Sequence, residues 1–307
     1  MHFQIIPTTM CNARCIYCYE NQNEFDTMTE IVENATVEFI KKEICLSPLE
    51  KHSIDWFGGE PLLVPKLIER IAVPLNQFAE NNGLTLYSEI VTNGSLINDE
   101  KIAFLKRIGV RLVHISLDGT RDEYFKRKNY LDGKNHFDHV IASVDVLQQN
   151  GFRVMLRINV DRNNISSCEE LIEYLHNNVS VETNVHVAPL YGIGKDYLSH
   201  EDVLETMCIL QKKIDDNKFP VLIRKSINSK KCRNAQQNNY VIKPNGDIIR
   251  CEHMYASDLA IIGTVFDGII DRDNCICNEC DYFMICKQGC NDETEIACNC
   301  CWKAIWR

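Results

Sequence analysis

Several absences narrow what this chain can be. No window of its 307 residues reaches the uncharged apolar length that crosses a bilayer, so a membrane-spanning protein is not expected. Nothing at the start reads as a secretory signal, because Met1 runs straight into "HFQIIPTT" with no basic segment ahead of a long apolar one. A basic excess is missing too: the net charge is -10 and the pI is near 5.4, whereas a nucleic-acid backbone partner wants a basic face. There is no long internal repeat and no low-complexity tract. With 45% apolar residues, the chain has material for one large domain with an appendage, or for two domains.

Cysteine, in contrast, is abundant. Sixteen would suggest a disulfide framework in a small secreted protein, but this chain is large and carries no signal. Thiolate ligands in a reducing cytoplasm are the expectation instead. Cys11, Cys15 and Cys18 fall in "PTTMCNARCIYCYENQ", close to the start. Ten more lie from Cys232 onward, too many for packing alone, since a buried free cysteine is ordinarily just a small hydrophobe.

Between these groups the pattern alternates. "FQII", "SIDWF", "LYSEIVT", "RLVHISL", "FRVMLRINV" and "NVHVAPL" read as strands, and helical patterns cover Thr29 to Cys45, Pro65 to Asn81, Asp99 to Ile108, Phe137 to Asn150 and Cys168 to Asn177. Six strand-helix units in series predict an α/β fold, a parallel sheet with helices outside, closed or partly closed into a barrel. Active sites of such barrels sit at the C-terminal ends of the strands, where the loop after "FQII" places its cysteines. After about Leu190 the rhythm breaks, with helical stretches near His200 to Asn217 and then the cysteine-rich remainder. The basic run Lys126 to Lys128 reads as a solvated helix face, with a second reading as a source of cations for the site.

Three thiolates can hold three irons of a 4Fe-4S cube and leave the fourth open to a ligand. A structural zinc site would normally find a fourth ligand nearby, from two separated pairs of cysteines. "DWFGGEP", Asp55 to Pro61, ends the second predicted strand on the same rim. Its glycines let the backbone approach a ligand closely, and Glu60 and nearby carbonyls can accept from an ammonium group.

The spacing C-x-x-x-C-x-x-C with Tyr17 before the third cysteine, together with "GGEP" on the next strand, closely resembles the radical S-adenosylmethionine superfamily. The resemblance covers the first two thirds of the chain. It implies a partial (β/α)6 TIM-like barrel in which the open iron chelates the amino and carboxylate groups of S-adenosylmethionine. It also implies reductive cleavage of that cofactor to a 5'-deoxyadenosyl radical, with a flavodoxin- or ferredoxin-type electron donor. On this resemblance Gly58, Gly59 and Glu60 match the methionine-amino contact. Thr92 and Asn93 end the third strand, and Ser116 and Asp118 the fourth, on the rim that meets the ribose. Arg127, Lys128 or Arg157 would supply a cation for the carboxylate, and Tyr17 and Tyr19 would pack near the adenine.

The C-terminal spacing resembles the SPASM extension of certain radical enzymes, which holds two auxiliary clusters and would bring the total to three 4Fe-4S clusters. Cys232 is followed by thirteen residues, Gly246, four residues and Cys251, and "CNECDYFMICKQGC" follows. The resemblance gives Cys232, Cys251 and Cys290 to the inner cluster. Cys277, Cys280, Cys286 and one of Cys298, Cys300 or Cys301 go to the outer one. No cysteine stands shortly before Cys232. Either Cys275 or another cysteine folds back to complete the inner cluster, or that cluster keeps an open iron where a substrate thiolate could bind. The implied organisation is a barrel over 1–190, a helical bridge over 191–225 and a SPASM domain over 226–307.

SPASM enzymes mostly act on peptides and proteins. The leading expectation is a cytoplasmic enzyme that crosslinks a ribosomally made peptide, most readily through a thioether. A sulfatase-type formylglycine-generating oxidase is the alternative, because Glu252 follows Cys251 where sulfatase-maturing enzymes carry a proton-accepting aspartate. A non-catalytic iron-sulfur or zinc scaffold is the alternative of a different class. The chain starts at the first strand, so leader-peptide recognition would fall to a separate protein or to the barrel surface.

Overall fold

A computed structural model describes residues 1–18, 25–180, 182–190, 196, 198, 200–220, 238–252, 255 and 258–270. Six strands alternate with helices: β1 (His2–Ile5), α1 (Glu30–Leu46), β2 (His52–Trp56), α2 (Pro65–Asn81), β3 (Leu86–Thr92), α3 (Asp99–Arg107), β4 (Val110–Leu117), α4 (Arg121–Lys128), α5 (Phe137–Gln149), β5 (Arg153–Val160), α6 (Ile165–Asn178) and β6 (Asn184–Pro189). After α7 (His200–Asp216) come β7 (Asn239–Ile242), β8 (Asp247–Ile249), β9 (Ile261–Thr264) and β10 (Gly268–Ile269).

One ten-stranded sheet runs in the order β10-β9-β8-β7-β1-β2-β3-β4-β5-β6. Strands β1 to β6 are parallel neighbours in chain order, as a βα series with right-handed crossovers requires. Among the described residues the sheet ends at β6 on one side and β10 on the other, so the barrel is partial, as the superfamily resemblance implies.

Alternation along the strands separates two environments. In β5 the residues Val154, Leu156, Ile158 and Val160 are completely buried under the helices, while Arg157 between them is only half-buried on the other face. The helices seal this outer layer with their own periodic apolar faces: α2 contributes Ile68, Ile71 and Leu75, α5 Val140, Val144 and Leu147. Their starts are set by short polar side chains. Asn98 caps α3 by accepting from the Lys101 amide at 2.9 Å, and Thr29 caps α1 by accepting from the Val32 amide at 3.5 Å.

The rhythm breaks after Leu190, yet the sheet continues: β7 pairs with β1 in parallel register, His2 opposite Asn239 through Ile5 opposite Ile242. An aromatic triad fastens this addition. Phe3 of β1 stacks on Tyr240 of β7 at 5.5 Å, Phe39 of α1 meets both edge-on, and the Tyr240 hydroxyl donates to Glu43 of α1 at 3.0 Å. Strands β8 to β10 then add antiparallel. Among the described residues no helix is long and apolar enough to cross a membrane.

Candidate active site

The cysteine loop leaves the C-terminal end of β1 and is held along its length by its neighbours. The glycines of "GGEP" explain the first part. A Cβ on Gly59 would stand 2.3 Å from the Met10 carbonyl oxygen and 2.5 Å from that of Thr9, and one on Gly58, at φ +116°, would stand 2.4 Å from the Thr8 oxygen. The close approach these glycines permit is therefore to the chain's own segment Thr8 to Met10. Two main-chain bonds fix it, from the Gly59 amide to Thr8 O at 3.1 Å and from the Glu60 amide to Met10 O at 2.8 Å.

Glu60 is wholly buried, and its carboxylate accepts from the Leu62 amide at 3.1 Å, the Thr92 hydroxyl at 2.8 Å and the Asn93 amide at 2.8 Å. Burial raises its pKa, with these three hydrogen bonds pulling the other way. The side chain thus ties the end of β2 to the end of β3. Glu60→Gln should cost about 2 kcal/mol of stability in denaturant melts, because either amide orientation sets an NH2 against a buried donor.

From there a polar chain reaches the cysteines. Asn93 donates to Asn12 Oδ1 at 2.8 Å and lies 4.0 Å from Cys11 Sγ, while Asn12 donates to Ser95 at 2.9 Å. Asn12 and Ser95 escaped the sequence reading, although Asn12 directly follows Cys11 and Ser95 stands two positions after Asn93.

The basic run of α4 departs most from its first reading as a solvated face. Lys126 is exposed, but Arg127 and Lys128 are completely buried. Lys128 Nζ donates to Ser116 at 2.7 Å and to the Tyr17 hydroxyl at 2.9 Å, and pairs with Asp118 at 2.9 Å. Tyr17 in turn donates to Asp118 at 2.5 Å, and Asn159 of β5 donates to the other Asp118 oxygen at 2.8 Å. Arg127 pairs with Asp161 at 2.6 Å, and its guanidinium lies 5.3 Å from the centre of the Tyr17 ring. Burial is the largest influence and works against the Lys128 charge, but Asp118 together with Tyr17, Cys15 and Tyr124 outweighs it and holds the ammonium pKa well above the ordinary lysine value. Burial and then Asp118 push the Tyr17 phenol far up, so it keeps its proton.

All three Lys128 donors are committed inside the protein. Of the three cations named for a cofactor carboxylate, Arg157 stands apart: it is half-buried on β5, and its Nε donates to Asn159 at 2.9 Å. Asn159, Asp161 and Asn164 were not singled out in the sequence. The polar cluster "NVDRNN" across the end of the fifth strand was the available signal, and Asn164 ties that rim together by donating to the carbonyls of Asp118 and Asn159, both at 2.8 Å.

Cys11, Cys15 and Cys18 are all half-buried. Burial pushes the Cys11 thiol up to about 12, helped by Glu60 and the two other cysteines, and burial likewise raises Cys15. A bare thiolate is disfavoured at Cys11 and Cys15, and a bound metal would hold those two sulfurs deprotonated. Among the described residues no three His, Cys, Asp or Glu side chains converge on a single-ion site. A 4Fe-4S cube binds each cysteine through a different iron, so its ligands do not meet at one point. Three thiols on one loop, electrostatically coupled and short of a fourth, fit such a cube.

At the far end of the sheet, Cys251 and Glu252 follow β8 and are half-buried. Tyr19, Cys232, Cys275, Cys277, Cys280, Cys286, Cys290, Cys298, Cys300 and Cys301 lie outside the described residues.

The sequence pattern of the radical SAM superfamily matches residues 5–175, over half of the chain. The chain belongs to that superfamily. It is 22% identical to a serine-type anaerobic sulfatase-maturating enzyme of Klebsiella aerogenes, over 94% of this chain and 79% of that protein. Its fold is similar to that of native anSMEcpe solved with bound AdoMet and Cp18Cys peptide, with a TM-score of 0.74 and 18% identity over 99% of this chain and 95% of the other. Streptococcus suis SuiB bound to precursor peptide SuiA is also similar, with a TM-score of 0.62 and 16% identity over 88% of this chain and 63% of SuiB. The partial radical SAM barrel expected from the motifs is thus the fold observed.

Proposed function

We propose that this radical SAM protein binds S-adenosylmethionine at a 4Fe-4S cluster held by Cys11, Cys15 and Cys18, and modifies a peptide, most readily by forming a thioether crosslink. The observation that carries this reading is the cysteine loop itself, seated by "GGEP" on the rim where the parallel strands end. When bound, the cluster and its cofactor supply an electron and a 5'-deoxyadenosyl radical for hydrogen abstraction. The protein's part is to hold and orient. Arg157 takes the cofactor carboxylate, and Tyr17 presents its ring toward the adenine while its hydroxyl stays bonded to Asp118. The peptide substrate draws support from the peptides that anSMEcpe and SuiB were solved with. Two auxiliary clusters in the C-terminal part, with Cys251 among the ligands, complete the proposed cofactor set, and a flavodoxin- or ferredoxin-type donor supplies the electron.

The test is anaerobic reconstitution with iron and sulfide, followed by dithionite and S-adenosylmethionine. The protein should release 5'-deoxyadenosine, and none from well-loaded protein would favour a non-catalytic scaffold.

The similarity to a sulfatase-maturating enzyme over 94% of this chain and 79% of that protein favours a second reading, oxidation of a serine or cysteine to formylglycine. Glu252 separates the two. In the oxidase it takes a proton from the substrate, so Glu252→Gln should slow peptide oxidation by about a hundredfold. In a crosslinking enzyme whose substrate thiol is held on iron, the metal already favours the thiolate, and the same change should cost less than about threefold. Mass spectrometry of the peptide product reads both outcomes, and a large loss of crosslinking would show that this division of labour is wrong.

A further inference from the structure

The segment that follows α4 runs antiparallel against the cysteine loop. The Arg14 amide is shared between the carbonyls of Lys128 at 3.1 Å and Asn129 at 3.0 Å. The Ile16 amide donates to Arg127 O at 3.0 Å, and the Leu131 amide donates back to Asn12 O at 3.0 Å. Ala13 and Tyr130 form an antiparallel bridge between these bonds. So residues 12 to 16, which carry Cys15 and flank Cys11 and Cys18, are fastened through their main chain to residues 127 to 131. That geometry depends on one residue. Asn129 closes α4 in the left-handed region, at φ 45° and ψ 64°, which turns the following chain back along the loop. Its side chain is exposed, and asparagine is among the few residues other than glycine that accept this conformation readily.

Beneath the main-chain bonds stands the Lys128, Asp118 and Tyr17 triangle, with distances of 2.5 to 2.9 Å. Tyr17 lies on the cysteine loop, Asp118 just past β4 and Lys128 at the end of α4. The triangle therefore ties the loop through side chains to the barrel rim and to the end of α4, in addition to the main-chain bonds. Both sets of bonds involve protein groups alone, and none needs iron.

We propose that the C-terminal end of α4 is a preformed cradle for the cysteine loop, with Asn129 and Lys128 as its positioning residues. The loop is thereby ordered before any cluster is present. The proposal takes the loop to be the cluster site, but its central prediction concerns the metal-free chain. A loop already in place loses little conformational entropy when iron arrives, so loading is easier than for a loop that must fold around the metal.

Amide hydrogen exchange on the metal-free full-length chain tests this. The Arg14 and Ile16 amides should be protected in the parent protein. Tyr17→Phe removes one hydroxyl and should raise their exchange by about tenfold, while β5 keeps its parent rate. Asn129→Val places a β-branched side chain at positive φ and should do the same, whereas Asn129→Gly should restore protection. In iron-loaded protein, the low-temperature EPR signal that S-adenosylmethionine perturbs should change line shape in Asn129→Val and recover in Asn129→Gly. A general loss of stability would not produce that pairing. Should Asn129→Val fail to fold, the milder Tyr17→Phe still decides. Unprotected Arg14 and Ile16 amides in the parent, or a uniform rise of exchange across loop and strands in Tyr17→Phe, would overturn the cradle. The exchange result holds whether or not the loaded chain cleaves S-adenosylmethionine, so a failure of the proposed function is seen separately.

Discussion

Replacing Cys11, Cys15 and Cys18 together with alanine should remove about four iron atoms per chain, the content of one cube, and reduce 5'-deoxyadenosine release to background. The chain should still fold. The loop's attachments at Gly59, Glu60, Lys128 and Asn129 run through main-chain atoms that alanine retains, and the thiols are only half-buried. The auxiliary clusters proposed for the C-terminal cysteines should load as before. Iron and sulfide analysis with anaerobic product assay therefore reads one site in isolation. Parent-level cleavage by the triple variant would overturn the assignment of this loop as the S-adenosylmethionine site. Lower total iron with full cleavage would move the reaction to another cluster.

The fold was open to reading because the sheet is built in one repeated way. Residues such as Val113, Ile115 and Leu117 on β4 alternate with His114 and Ser116, and that period survives in a single sequence. The long helices announced themselves in the same manner, α2 over the same span, Pro65 to Asn81. Helix α4 did not. It is eight residues long and highly polar, so its pattern looks like surface. What buries Arg127 and Lys128 is a pair of carboxylates, Asp161 and Asp118, placed 34 and 10 positions away in the chain. A charge run is read as solvated because its partners are invisible locally, and only the parallel register of β4 and β5 delivers them. The pairing of β7 with β1 escaped for a related reason. A four-residue strand arriving after a long gap carries no period of its own, and its anchor is the contact of Tyr240 with Phe3 and Phe39.

The motif "GGEP" shows the limit in another form. The sequence marks the two glycines as a place of close approach, and the structure shows the approach to be to Thr8, Thr9 and Met10. Likewise Glu60 has a carboxylate that could accept from a ligand, and here it accepts from three of the protein's own donors. Motif residues and the residues that support them share the same few positions, and spacing alone cannot separate the roles.

The substitution Gly59→Ala turns that overlap into a measurement. Gly59 does not have a positive φ, so its backbone conformation alone would tolerate alanine. The obstacle is contact. The new Cβ would meet Met10 O at 2.3 Å, Thr9 O at 2.5 Å and the Met10 carbonyl carbon at 2.6 Å, all main-chain atoms that no rotamer change can move aside. Relief requires the cysteine loop to shift away from β2, which stretches the bonds from the Gly59 amide to Thr8 O and from the Glu60 amide to Met10 O. We expect a loss of about 3 kcal/mol in denaturant unfolding, at the upper end of overpacking costs. The displaced segment leads directly into Cys11, so iron bound by the first cluster should fall with it, in the same direction as in the triple cysteine variant. Gly83→Ala serves as the control: its φ is +65° and nothing lies within 4 Å, so it bears backbone strain without the contact. Gly59→Ala with parent stability and a full iron complement would show that the loop yields freely at this point. The seating of the cysteines would then have to come from the α4 side alone.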